Sequence, residues 1–351
     1  MNIAVSGMRP GAMFTEDLLW IEQARGAAAL AVVILHVSAG VVRGVSDVTS
    51  AAWWIGNIVD SAMRWCVPVF VMISGALLLD PAKSLGSFST FYSRRASRIG
   101  WPLVFWSALF LIWNGWRGYL KSGHVDWDAI IGMLLSGQPH YHLWYLFMLL
   151  GLYLVAPFVR VLLNHLDRPT TMCFCSLLFV LSLASALHDH VAGARRAFFL
   201  FWFLPYLSYF TAGAVMRRSS PKVGKGGLLG LVLSSVAFTA IGCYVVSVWT
   251  DVPSGLYFYD YFSVTVIPMA IAVFILLRET PPYRALVGLA PHSFGVYLIH
   301  PLFLDGLSRL GFEESNFNPL WCIPAKVLLV LFLSLSSVWA IRRVSILRRV
   351  V

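Results

Sequence analysis

Arg25 and His36 form the sharpest chemical pair in the chain. They stand eleven positions apart, almost three whole turns, so on a helix both project from one face, about 16 Å apart along it. An imidazole works as a general base near neutral pH, and a permanently charged guanidinium suits a phosphate. The two residue types fit equally well a snorkelling arginine and a histidine hydrogen-bonded to a neighbouring helix. Glu22, a turn before Arg25, can pair with it and fix its rotamer. Arg94, Arg95 and Arg98, in FYSRRASRIGWP, fall at helical spacings that gather them into a cationic cluster. Such a cluster either grips a phosphorylated cofactor or anchors topology. His300, in HSFGVYLIHPLF, shares a helical face with Ser293 and Tyr297. It reads as a second proton-transfer group, a substrate ligand, or a histidine satisfied by carbonyls. The HxH pairs His140 with His142 and His188 with His190 fall near the expected outer surface. They gain no carboxylate or third histidine at helical spacing, and no metal is expected. Ser74 and Gly75, in VPVFVMISGALL, predict close helix approach, since no GxSxG context surrounds the serine.

The elements that position these residues must lie in a membrane. Of 351 residues 59% are apolar and only 12% charged, and the mean hydropathy is +0.76, far from a soluble composition. Ten continuously apolar stretches predict an all-α, polytopic bundle of about ten transmembrane helices, over 24–42, 56–79, 99–115, 143–163, 171–188, 197–216, 227–249, 259–277, 288–306 and 320–341. The third is weakened by Asn114 and Gly115, and the ninth by Pro291, His292 and Pro301. The N-terminal segment carries Glu16, Asp17 and Glu22 and does not read as a secretory signal. A single transmembrane domain is expected over 1–351, including a short cytoplasmic N-terminal segment 1–23, with no appended soluble domain.

The basic loops are Lys83 to Arg98, the loop with Arg217, Arg218, Lys222 and Lys225, and the tail with Arg342, Arg343, Arg348 and Arg349. They put most of the 26 Lys and Arg on one side, which places both termini in the cytoplasm. The net charge of +10 is thereby a topology determinant, and nucleic acid is not an expected partner. The long outer loop 114–142 carries His124, Asp126, Asp128, His140 and His142 with four aromatics, a composition that suits a sugar or an interfacial belt. Five cysteines without a CxxC pair exclude a disulfide scaffold.

With the spans laid out, the chain resembles the integral-membrane acyltransferase-3 family. The resemblance rests on WIEQARGAAALAVVILH, VPVFVMISGALL, the RxxR of Arg95 and Arg98, YHLWYLFMLLGLYLVAP and SFGVYLIHP, in family order from about residue 18 to 341. The YHLW and ISG segments look most like the branch containing the O-acetyltransferase of enterobacterial common antigen. Glu22 stands where the family usually has Asp, and Ala24 where it has Leu. An SGNH hydrolase-like extension, which some members carry, is not among these residues, so a two-domain acyl relay is not expected.

The resemblance implies transfer of an acyl group, usually acetyl, from cytoplasmic acyl-CoA to a hydroxyl of a bacterial surface glycan, often lipid-linked, at the inner membrane. It implies His36 and Arg25 as the catalytic pair and Arg95 and Arg98, with neighbouring Arg94, as the site for the CoA phosphates. His142, Tyr297 and His300 are candidate contacts for the acceptor. The rival reading is a polytopic exporter of glycan or lipid-linked glycan that performs no chemistry; a third is an assembly partner of glycan synthesis.

Overall fold

The computed structural model describes residues 16–82, 86–193, 198–218 and 223–351, and among these the regular structure is helical with no strand. In chain order the helices are α1 (Glu16–Gly44), α2 (Ala51–Met63), α3 (Cys66–Leu78), α4 (Phe88–Arg95), α5 (Trp101–Ser122), α6 (Trp127–Leu135), α7 (Trp144–His165) and α8 (Arg168–Val191). There follow α9 (Phe203–Arg218), α10 (Lys225–Trp249), the single turn α11 (Val252–Gly255), α12 (Val266–Glu279), α13 (Arg284–Leu289), α14 (Ser293–Arg309) and α15 (Pro319–Arg343). Lys83, Lys222 and the first fifteen residues, all used in the charge reading, lie outside the described residues.

The spans begin where polar residues close the first turn. Ser50, Ser87, Asp126, Asp167 and Asn318 each accept a hydrogen bond from a backbone N–H two or three residues on, which satisfies donors the helix leaves orphaned. At Asp167 the hydrogen bonds from Thr170 hold the carboxyl below the usual range. Between Gly26 and Val42, α1 is apolar apart from Ser38 and His36, as a helix surrounded by protein should be. It packs against α2, α3, α12, α13, α14 and α15, and its span is the most buried of the candidate crossings, 67% against 17% for α8. The chemically interesting helix therefore runs through the middle of the bundle, with α8 and α10 towards the lipid.

Nine helical stretches among the described residues are long and apolar enough to cross a membrane. They correspond to nine of the ten expected spans, and the chain is a polytopic all-α membrane protein. The expected span 259–277 differs. Its helix α12 has 14 residues, about 21 Å at 1.5 Å per residue, too short for a hydrocarbon core of about 30 Å. The residues before it are a 3-10 turn and irregular backbone. Thr239, in the interior of α10, donates to Thr265 at 2.8 Å, so α12 starts beside the middle of α10. Irregular backbone at that depth needs partners inside the protein, and it has them. Arg64 donates to the Tyr259 carbonyl and lies over its ring, 4.0 Å from the centroid. Tyr209 donates to the Tyr261 carbonyl, and the Tyr259 hydroxyl to Asn57.

Two more departures have local causes. The third span is longer than expected: helix is continuous over Phe88–Ser122, with a wide π-helical turn at Ala96–Gly100. Asn114 does not break it, because its side-chain amide donates outward to the Pro139 carbonyl at 2.9 Å. The expected close approach at Gly75 is present. A Cβ on Gly75 would stand 1.8 Å from the Phe210 carbonyl oxygen, and one on Gly213 1.9 Å from that of Met72. The α3 and α9 backbones therefore meet where only hydrogen fits between them, the close packing that small residues permit in membranes.

Candidate functional site

Arg25 and His36 do share a face of α1, and each meets a different set of neighbours. At the end that the charge pattern assigns to the cytoplasm, Arg25 donates to Glu22 at 3.1 Å, both side chains partly exposed. The pairing expected across one helical turn is present. From α7, Tyr153 hydrogen-bonds Ser74 of α3 and lies close enough to Arg98, Arg95 and Arg25 to interact electrostatically with all three. The two arginine groups, seventy residues apart in sequence, thus converge on one phenol. Arg94 and Arg98 are exposed, and Arg95 is partly covered with its guanidinium 4.5 Å from the Phe91 centroid. Among the described residues none of Arg94, Arg95 and Arg98 is ion-paired to a carboxylate. Three guanidinium groups near one another in sequence, with no carboxylate partner among the described residues, have the charge and donors that an anion such as phosphate requires.

Farther along α1, His36 stacks on His300 with ring centroids 5.2 Å apart and meets Tyr141 edge-on at the same distance. His300 of α14 is fully buried, and His140 and His142 are 6% and 2% exposed. The outer-loop location expected for this HxH pair is therefore corrected: the turn before α7 folds inward, since Tyr297 donates to the His142 carbonyl at 2.6 Å and Asn114 holds Pro139. His140 stacks on Phe110, 4.2 Å between centroids, and His142 lies 5.8 Å from the His300 ring. Four imidazoles, from α1, the turn before α7, and α14, line one interior region. His188 and His190 do not join it; they end α8, both exposed. Tyr145 links the two regions, with its ring 5.5 Å from Tyr297 and its phenol within electrostatic reach of Tyr153 and Arg25.

Several charged residues in this interior were not singled out in sequence. Asp305, one turn beyond His300, accepts from Arg117 at 2.9 Å and Trp113 at 3.3 Å and meets His140 at 3.4 Å. Asp60, fully buried, pairs with Arg64. Lys326, also fully buried, contacts Glu314 at 2.8 Å and donates to the Phe312 carbonyl. Each was visible as an ionisable residue in an apolar context, the signal that marks an intramembrane functional or structural pair. A cavity of about 600 Å³ lined by Trp20, Arg217 and Arg278 is elsewhere. Trp20 is about 140° round α1 from Arg25, and Arg217 and Arg278 are taken up by helix-end carbonyls of Ala76 and Met216.

The fold and site define a multi-pass helical membrane protein that carries a cationic mouth at one end of its central helix and a buried histidine centre farther along. Over residues 18–343 the chain matches the family described as an acyltransferase domain, the acyltransferase-3 family, and it belongs to that family. It is accordingly a membrane acyltransferase. Searches of the curated proteins and of the solved structures found no match.

Proposed function

We propose that the protein is an O-acyltransferase, in particular an O-acetyltransferase, that moves an acyl group from cytoplasmic acyl-CoA to a hydroxyl of a bacterial surface glycan or its lipid-linked precursor at the inner membrane. The observation that carries this reading is the placement of Arg25 and His36 on one face of the buried central helix. Arg95 and Arg98, without a carboxylate partner among the described residues, share Tyr153 with the first as an electrostatic neighbour, and the imidazole of His300 stacks on the second. Phosphates of CoA bind at the mouth, with Arg94 adding charge, and the pantetheine arm runs along α1 past Tyr153 and Tyr145. The thioester reaches His36. Glu22 orients Arg25 for this role.

In the transfer, His36 takes the proton of the acceptor hydroxyl as the oxygen attacks the thioester carbonyl. The C–O bond forms, the C–S bond breaks, and the leaving thiolate takes the proton from the imidazolium, so one hydroxyl and one thioester become one ester and one thiol. The surrounding buried rings exclude water, which protects the thioester and strengthens the electrostatics at the carbonyl. The glycan as acceptor follows the branch of the family that the YHLW and ISG segments resemble, and His142 and His300 are its contacts. Tyr297 serves through the backbone of His142, to which its hydroxyl is committed.

Membrane vesicles supplied with radiolabelled acetyl-CoA test the reading: label enters a glycan with the wild type and not with His36→Ala. Mass spectrometry of surface glycans from a deletion strain then identifies the group and its position. Label on the protein itself in rapid-quench experiments without acceptor, absent in His36→Ala, would replace direct transfer by an acyl-histidine route. One observation favours the exporter reading, the half-unwound crossing before α12, since transporters use broken helices. Purified wild-type protein with no affinity for acetyl-CoA would turn the assignment that way.

A further inference from the structure

We propose that Asp305, His140 and His142 form a hydrogen-bonded chain that holds His142 with a bare lone pair on Nε2 facing the acceptor, and that Asp305 and His140 are positioning residues for the transfer. The inference rests on the O-acyltransferase reading of the site.

The proton positions follow from which atoms can donate. Arg117 and Trp113 are donors with no acceptor capacity, and both address Asp305 Oδ2. They keep the carboxylate ionised and accepting, so the third group on that oxygen, Nε2 of His140 at 3.4 Å, is the one that carries a proton. In neutral His140 this leaves Nδ1 with a lone pair. It stands 3.0 Å from Nδ1 of His142, and the single proton between them belongs to His142. Nε2 of His142 is then an acceptor, and it is buried with no hydrogen-bond partner. The chain from Asp305 thereby sets the tautomer of His142, as second partners of an imidazole do.

His300 reaches the same condition by another route. Its Nδ1 lies 3.0 Å from the Val296 carbonyl, which only accepts, so Nδ1 carries the proton. Its Nε2 is bare, buried and unpartnered. Two dry acceptors thus flank the region that His36 reaches. A buried acceptor without a donor is costly, and a thioester brings no donor to meet it. A ligand with several hydroxyl groups does. The pair selects a polyol, such as a sugar ring, and places it on the side of His36 away from the arginines.

The test combines histidine-selective ¹⁵N NMR of the full-length protein in nanodiscs with initial rates of label transfer from radiolabelled acetyl-CoA to endogenous acceptor in membrane vesicles. The wild type is expected to show His142 as the Nδ1–H tautomer. His140→Phe keeps the stack on Phe110 but removes both nitrogens; it should move His142 to the Nε2–H tautomer and lower kcat about a hundredfold at unchanged KM for acetyl-CoA. His140→Gln, whose amide donates to Asp305 while its oxygen accepts from His142, should keep the tautomer and recover the rate to within about tenfold. An Nε2–H tautomer in the wild type overturns the chain, and so do equal rates for the Phe and Gln variants. If wild-type vesicles transfer no label, the O-acetyltransferase reading fails, and the chain with it as a device for that transfer, whereas the NMR result still judges the hydrogen-bond pattern on its own.

Discussion

The two ends of the functional face of α1 are built on opposite principles. Around Arg25 the charges are permanent, partly exposed and only partly neutralised: Glu22 answers Arg25, and no carboxylate among the described residues answers Arg95 or Arg98. Around His36 the ring neighbours are imidazoles and a phenol, three of the four histidines are nearly or fully buried, and the nearby carboxylates Asp305 and Glu314 are answered by Arg117 and Lys326. Fixed charge costs little where water still reaches it and is expensive in a dry interior. An anion is therefore best held at the mouth. Groups that exchange protons without carrying a lasting charge can be placed deep, where exclusion of water helps the reaction. The proposed function accordingly puts donor binding at one end and chemistry at the other.

Substitutions separate the two ends. The largest effect is expected at the deep one: His36→Ala should reduce acyl transfer about 10³-fold, the scale of a lost general base, while equilibrium binding of acetyl-CoA is retained. If binding is lost with activity, the division of labour is wrong. The buried pair Asp60 and Arg64, which no step of the proposed transfer uses, provides a structural contrast. Asp60→Asn leaves Arg64 buried without its counter-charge and should cost about 3–5 kcal/mol, read as a large drop in Tm in detergent; replacing both residues by apolar ones should recover most of it.

At the mouth, Arg95→Ala with Arg98→Ala should raise KM for acetyl-CoA by about 10- to 100-fold, the scale of one or two lost charge-assisted contacts, with kcat little changed. An unaltered KM would move the phosphate site elsewhere. Arg94→Ala, exposed and farthest from Tyr153 in this reading, should change KM by about twofold or less, as expected for a surface charge. A larger change would bring Arg94 into the site as a full partner.

Much of the scaffold was legible from local pattern. A stretch of apolar residues longer than the hydrocarbon core has one stable backbone solution, a helix, and nine of the ten expected crossings are long helices. Helical spacing put Glu22 beside Arg25 and Arg25 on the face of His36, and the small residue at Gly75 announced a close crossing whose partner, Gly213, it did not name. The expected span 259–277 is helical only from Val266, because apolar composition says only that a segment is buried. Residues 256–265 unwind since Arg64 and Tyr209, 195 and 52 positions away, donate to the carbonyls of Tyr259 and Tyr261, which a helix otherwise would satisfy.

By itself the sequence determined the helices, the family and the periodic face that carries Arg25 and His36, because those depend on composition and on spacings of three or four residues. Only the tertiary structure decided that the turn at His140 folds inward, that Asp305 reaches it across 165 positions, and that Tyr153 gathers arginines from two helices. Periodicity fixes which face a residue occupies, whereas the partner of that face is chosen by packing among all the helices at once.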